Sequence, residues 1–300
     1  MTKIRSTDSS NIDDQRGQGG GRLGGLGSIL GGGGLKAGGG LLGIIVLLAA
    51  VFLPKLLGGS ATQSTANTPS SGGAAGATHN ACSTDLEQIV CGATNDVQAF
   101  WAVELPRAFN VQYATAKTTF FSGSVNTGCG PASSETGPFY CPVDRLVYLD
   151  LVFMQQLEDQ LVGTTSDLAE QYIIAHEYGH HVQNLLGTSD KVSQHEQQDQ
   201  RNGHLYSEAL ELQADCYAGV WISDANRRGL LDSPQEITEA FDAANGVGDD
   251  YIQSRGGGQV NPDTFTHGTS AQRKKWLDTG FTTGDPTQCA GTFAEMGVSV

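Results

Sequence analysis

Apolar and polar positions alternate along the chain with periods that mark out a series of elements. Ile89, Val97, Phe100, Trp101 and Leu105 recur at helical spacing, which predicts a helix over Leu86 to Phe109 ending near Pro106. Thr118 to Gly123 and Arg145 to Leu151 are short runs rich in β-branched and aromatic residues and are expected to be strands. The turn-rich stretch between them, Gly128 to Pro142, carries Cys129 and Cys141. Leu168, Tyr172, Ile173 and Ile174 give apolar faces to a helix predicted over Asp167 to Leu186, with Gly187 as its C-terminal stop. Thr188 to Asn202 is a polar stretch and is expected to be loop-like. Further helices are predicted over Tyr206 to Asn226, Pro234 to Asn245 and Thr266 to Leu277, the last including its entry loop.

Before residue 80 the pattern has another character. Residues 1–36 are polar and then Gly-rich, and such a stretch buries too little surface to offset backbone entropy, so a disordered tail is expected. No Gly-Lys-Ser/Thr follows these glycines, which removes a phosphate loop. Between Lys36 and Lys55 lie 18 uncharged residues, including Leu41 to Leu53. As a helix they would span roughly 27 Å, enough for a bilayer core. Basic residues dominate the N-terminal flank, so the expectation is a signal anchor over 37–57, with residues 1–36 cytoplasmic and the remainder outside. A cleaved signal peptide is the competing reading, disfavoured by the long leading segment and the lack of a small-x-small site. Residues 58–80 read as a flexible Ser/Thr/Gly/Ala tether, residues 81–293 as one globular domain, and 294–300 as a tail.

Charge sharpens this division. Up to Lys55, six basic residues stand against three acidic ones, a net of +3, so the remainder of this −15 chain carries −18. An acidic domain does not suit nucleic acid, whose phosphates need a basic surface. The six cysteines all follow the apolar segment and form no Cys-x-x-Cys pair, which suits disulfides in an oxidising compartment. Sequence proximity suggests Cys82–Cys91 and Cys129–Cys141, leaving Cys216–Cys289.

The candidate chemistry lies in the helix over 167–186. His176 and His180 are four residues apart, so both imidazoles lie on one face and can reach one zinc ion. Glu177 falls about 100° round the helix from His176, placed to work on a water without taking a ligand position. A catalytic zinc needs a third protein ligand. The extended His-x-x-Gly-x-x-His form is excluded, because Gln183 and Leu186 occupy those places. His195 and His204 are possible but lie in polar sequence. The better source is the helix with Glu208, Glu211 and Asp215, where one carboxylate can bind zinc and another can orient a ligand imidazole. Glu211 and Asp215 are i, i+4 neighbours, and Glu208 shares their face.

Several blocks together resemble the bacterial neutral zinc metallopeptidase family, a gluzincin-type group often built as membrane-anchored ectodomains. They are Gly128-Cys129-Gly130, Gly137 to Pro142, Val147 to Asp150, His176 to Leu186, Glu211 to Cys216 and Phe265 to Arg273, and the resemblance covers roughly Cys91 to Phe281. It implies a mainly helical α+β, zincin-like metalloprotease domain with a small antiparallel sheet, on a single N-terminal transmembrane anchor. It also implies Glu211 as third zinc ligand and Asp215 as the residue behind a ligand. The last block is similar to a His-Pro-x-x-x-x-Arg stretch of CaaX-processing membrane metalloproteases, with glycine in place of proline, which makes His267 a candidate for stabilising an oxyanion. His181 points away from the metal face and suits packing. Tyr148 and its neighbours suit the edge strand with which zincins pair extended substrate, or a core strand. Cys216 reads as a disulfide cysteine rather than a ligand.

The expected activity is therefore zinc-dependent hydrolysis of a peptide or protein substrate, with Glu177 as general base, by a protein of the bacterial cell membrane held in the bilayer through 37–57. The rival from another class is a zinc-stabilised envelope binding or scaffold protein that cleaves nothing.

Overall fold

The computed structural model describes residues 2–17, 80–161, 166–255 and 260–300. Strand β1 (Ile12–Asp14) precedes helix α1 (Asp85–Phe109), then strands β2 (Lys117–Phe120), β3 (Ser124–Thr127), β4 (Gly130–Ser133), β5 (Phe139–Cys141) and β6 (Leu146–Leu149). Helices α2 (Leu151–Leu161), α3 (Asp167–Leu186), α4 (Thr188–Gln198), α5 (Gly203–Arg227), α6 (Pro234–Gly246), α7 (Asp249–Arg255), α8 (Ser270–Thr283) and α9 (Gly291–Glu295) follow. The sheet is mixed rather than antiparallel as expected: its order is β1-β2-β6-β5, with β1, β2 and β6 parallel and only β5 antiparallel to β6. β3 and β4 form a separate antiparallel hairpin.

Helix α3 runs over the span its periodicity predicts, and Gly187 ends it at φ 74°, a left-handed turn that glycine adopts without strain. The stretch after it, expected to be loop-like, is the helix α4, on which Val192 is the one buried residue among those described. A helix so polar carries no hydrophobic stripe to betray it. α3 and α5 meet at Gly179, where a Cβ would come within 3.0 Å of the Ala214 backbone. α5 and α8 cross on Gly219 and Gly280, each of which faces backbone of the other helix with no room for a Cβ. Trp101, Trp221, Tyr172 and Tyr178 fill the core around this three-helix centre. The cysteines pair as Cys82–Cys91, Cys129–Cys141 and Cys216–Cys289, the pairing that proximity suggests.

The N-terminal residues depart from expectation. Far from being disordered, residues 2–17 lie along the domain: β1 pairs with β2, Lys3 N–H donates to Leu230 C=O, and Ser6 N–H donates to Gln88 C=O. Ile4 and Ile12 are buried, and Gln171 on α3 donates to the Ile4 carbonyl at 2.8 Å. Gly92 makes room for this backbone, since a Cβ there would lie 2.6 Å from the Ile4 carbonyl oxygen. Composition misleads here because the segment is held by backbone and ionic contacts together with only two buried isoleucines, Ile4 and Ile12.

This docking also overturns the expected membrane topology. Among the described residues no helix is long and apolar enough to cross a membrane, and the anchor expected at 37–57 lies outside them. Segments joined by backbone hydrogen bonds lie on one side of any bilayer, so residues 2–17 and the domain cannot be cytoplasmic and extracytoplasmic respectively. The expected single-pass anchor, and the cell-membrane localisation built on it, therefore do not hold. Most of the tether, 58–79, likewise lies outside the described residues.

Candidate active site

Where α3 faces α5, the ligand atoms of His176, His180 and Glu211 lie within 4.8 Å of one another. Nε2 of His176 is 3.2 Å from Glu211 Oε2, and Nε2 of His180 is 3.3 Å from Oε1. The close approach at Gly179 brings the two helices near enough for this. Burial acts to raise the Glu211 carboxyl, but the imidazoles of His180 and His176 outweigh it and hold it well below the usual carboxylate range.

Asp215 stands behind His176 and is fully buried. Its Oδ1 accepts from His176 Nδ1 at 2.8 Å, from the Tyr172 hydroxyl at 2.6 Å and from Arg273 Nη2 at 2.9 Å, while Arg273 Nε donates to Oδ2 at 2.8 Å. Burial pushes the Asp215 carboxyl up, yet Arg273 and His176 bring it down to about 2. A permanently ionised acceptor obliges Nδ1 of His176 to carry a proton, which leaves Nε2, on the side of Glu211, as the nitrogen that a metal ion can take. Arg273 reaches this carboxylate from α8, carried in by the Gly219–Gly280 crossing.

Glu177 is 6% exposed and makes no hydrogen bond to another described residue. Burial pushes its carboxyl up, opposed by the imidazoles of His176 and His180. It opens on a cleft whose walls include Phe139, Tyr140, Ile173, Val192, Leu210 and His267. His267 Nδ1 lies 3.0 Å from Asp249 Oδ1, and the Thr266 and His267 backbone N–H groups each donate to Asp249 Oδ2 at 2.7 Å. Burial alone would raise the Asp249 carboxyl, but the bonds from His267 and these backbone groups lower it.

The other sequence candidates fall elsewhere. Glu208 stands outside the cluster, where burial and then the charge of Asp249 push its carboxyl up to about 7. His195 stacks on Tyr206 with ring centroids 5.0 Å apart, and neither it nor His204 joins the cluster. His181 is a packing residue: buried, with Nδ1 3.0 Å from the Tyr140 hydroxyl and Nε2 2.6 Å from the Ala114 carbonyl oxygen. Tyr148 is not on an edge, because β6 lies between β2 and β5; the edge beside the cleft is β5. Asp249 escaped sequence reading, since no motif spacing ties it to His267, 18 residues later. Arg273 could be found only as the last residue of the block that begins at Phe265.

A family model described as "putative neutral zinc metallopeptidase" matches residues 1–293, including the docked N-terminal segment. The uncharacterized protein YpfJ of Escherichia coli is 39% identical over 284 residues, 94% of this chain and 95% of that protein. An uncharacterized protein of Mycobacterium tuberculosis, Rv2575, is 46% identical over 209 residues, 67% of this chain and 68% of its own length. No solved structure matches.

Proposed function

The chain belongs to the neutral zinc metallopeptidase family, and on that premise we propose that it hydrolyses peptide bonds with one zinc ion held by His176, His180 and Glu211. The donor set fits such an ion. Two imidazole Nε2 atoms and one carboxylate converge, which are the ligand types and number of a catalytic zinc site that keeps one position open. Bound there, zinc would supply Lewis acidity and lower the pKa of a water in the open position.

The remaining chemistry belongs to the chain. Glu177, raised by burial, takes a proton from the attacking water and returns it to the leaving amine. Asp215 and Arg273 hold His176 in its tautomer. His267 faces the same cleft with Nδ1 directed at Asp249, and we assign its Nε2 side to the carbonyl oxygen of the scissile bond. The open edge of β5 gives an extended substrate backbone a strand to pair with.

The observation that carries this reading over a non-catalytic zinc-stabilised scaffold is Glu177. A purely structural site has no use for a buried carboxylate without a hydrogen-bond partner beside its ligands, and burying one is costly. Cleavage profiling of a proteome-derived peptide library, with wild type and Glu177→Gln side by side, tests it. The variant should keep one zinc per chain and lose cleavage by a factor of at least about 100, the lower end of a general base's contribution. Equal cleavage by both proteins, or zinc binding with no cleavage by wild type, would favour the scaffold.

A further inference from the structure

Nδ1 of His180, the ring nitrogen turned away from the cluster, lies 2.8 Å from Oε1 of Gln183. Gln183 is fully buried one turn further along α3. We propose that Gln183 is a positioning residue for the metal site: its amide fixes His180 as the Nδ1–H tautomer, leaving the Nε2 lone pair for the ion.

The argument rests on which way the amide faces. Oxygen and nitrogen of a glutamine side chain are told apart by their partners. The nitrogen end of Gln183 meets the Leu210 carbonyl oxygen at 2.6 Å, and a backbone carbonyl can only accept. That end must therefore be Nε2, and the oxygen must face His180. An oxygen acceptor obliges the facing Nδ1 to be the donor.

A second amide supports the same polarity. Gln183 Nε2 also lies 3.1 Å from Gln213 Oε1, and Gln213 Nε2 in turn donates to the Cys289 carbonyl at 3.4 Å. Cys289 is tied to Cys216 on α5 by a disulfide. Two backbone carbonyls, Leu210 and Cys289, thus set the direction of the whole relay. His176 takes its tautomer from a carboxylate locked to an arginine; His180 takes its own from neutral amides. Ligand imidazoles held at the far nitrogen in this way bind metal more tightly, and loss of such a partner typically costs 10–100-fold in affinity.

The proton on Nδ1 stands on hydrogen bonds alone; that Nε2, 3.3 Å from Glu211 Oε1, gives up its own proton to an ion rests on the zinc reading. The test uses the full chain as wild type and as Gln183→Met, which keeps volume but removes the strong acceptor. Zinc affinity is measured by competition with a chromophoric chelator, and the His180 ring by multiple-bond ¹⁵N–¹H NMR with and without zinc. We expect Gln183→Met to retain its fold by circular dichroism and to bind zinc about 10–100-fold more weakly. The zinc-loaded wild-type ring should carry its proton on Nδ1. A folded Gln183→Met protein with wild-type zinc affinity overturns the proposal, as does a wild-type His180 ring protonated on Nε2 alone. Should the methionine variant not fold, the wild-type ring spectrum decides. A wild type that binds no zinc sinks the metal reading, while its ring spectrum still decides the role of Gln183.

Discussion

Arginine–carboxylate pairs hold both the site and the N-terminal segment, but in different surroundings. At the site, Arg273 and Asp215 are joined by two hydrogen bonds with side chains 5% and 0% exposed. On the segment, Arg5 meets Asp167 at 2.9 Å with side chains 25% and 20% exposed, and Arg16, 23% exposed, meets the buried Glu87 at 2.7 Å. Removing one member of a sealed pair strands the other without solvent, whereas groups at a wet rim exchange a partner for water. The same chemistry therefore makes a permanent framework in one place and a releasable strap in the other. Asp167 opens α3, the helix that carries the histidines, so the strap grips the start of the site's principal element.

The largest expected effect tests the sealed half of this contrast. Arg273→Ala leaves Asp215 buried with His176 and Tyr172 but without its arginine, and should destabilise the fold by about 3–5 kcal/mol. Denaturant unfolding measures it, and a loss below about 1 kcal/mol would erase the distinction from a surface pair.

Gly92→Ala addresses the strap. Alanine favours α1 itself by about 0.8–1 kcal/mol over glycine, yet its Cβ collides with the backbone at Ile4 and Arg5. The domain should keep its thermal midpoint within a few degrees while trypsin gains access after Arg5 and Arg16. Unchanged resistance at those two bonds would show that the segment is bound as firmly as the core.

Acid should produce a milder and reversible release. Burial acts to raise the Glu87 carboxyl, but hydrogen bonds from the Thr84 backbone, Arg16 and Ser83 outweigh it and hold it at about 2, against 4.5 in the unfolded chain. A depressed carboxyl contributes stability that is complete above the unfolded value and lost as pH falls through the folded one. Only the Arg16 share of that depression is lost when the segment lifts off, so the NMR resonances of residues 2–17 should shift modestly towards released positions as pH drops from about 4.5 towards 2 and return on neutralisation. A Glu87→Gln protein should show a much flatter profile.

How much of this was legible in the sequence follows the same contrast. The site declares itself through local periodicity: two histidines at i, i+4 on one helix and Glu211 with Asp215 at i, i+4 on another. Helix α3 ends where its glycine says it should. β1 is the opposite case, three residues with one apolar side chain whose partner strand begins more than a hundred residues later. No window of sequence contains that information. Gln183 and Asp249 were hidden for a related reason, since a polar residue's role is fixed by what it faces, and both face groups outside any motif. α4 was missed because its polar surface carries no period.

The parallel pairing of β1 with β2 also sets an order of events in synthesis. Ile12 leaves the ribosome first, while Thr118, with which it is in register, is made 106 residues later and Leu230, which receives Lys3, later still. At about 5–20 residues per second the segment waits roughly 5–20 s for its strand, and longer for the end of α5. Until then its amides have only water and transient partners. Residues 2–17, made before the strand they join, are among the last to find their places, so a nascent chain stalled before residue 118 carries β1 with no sheet to join.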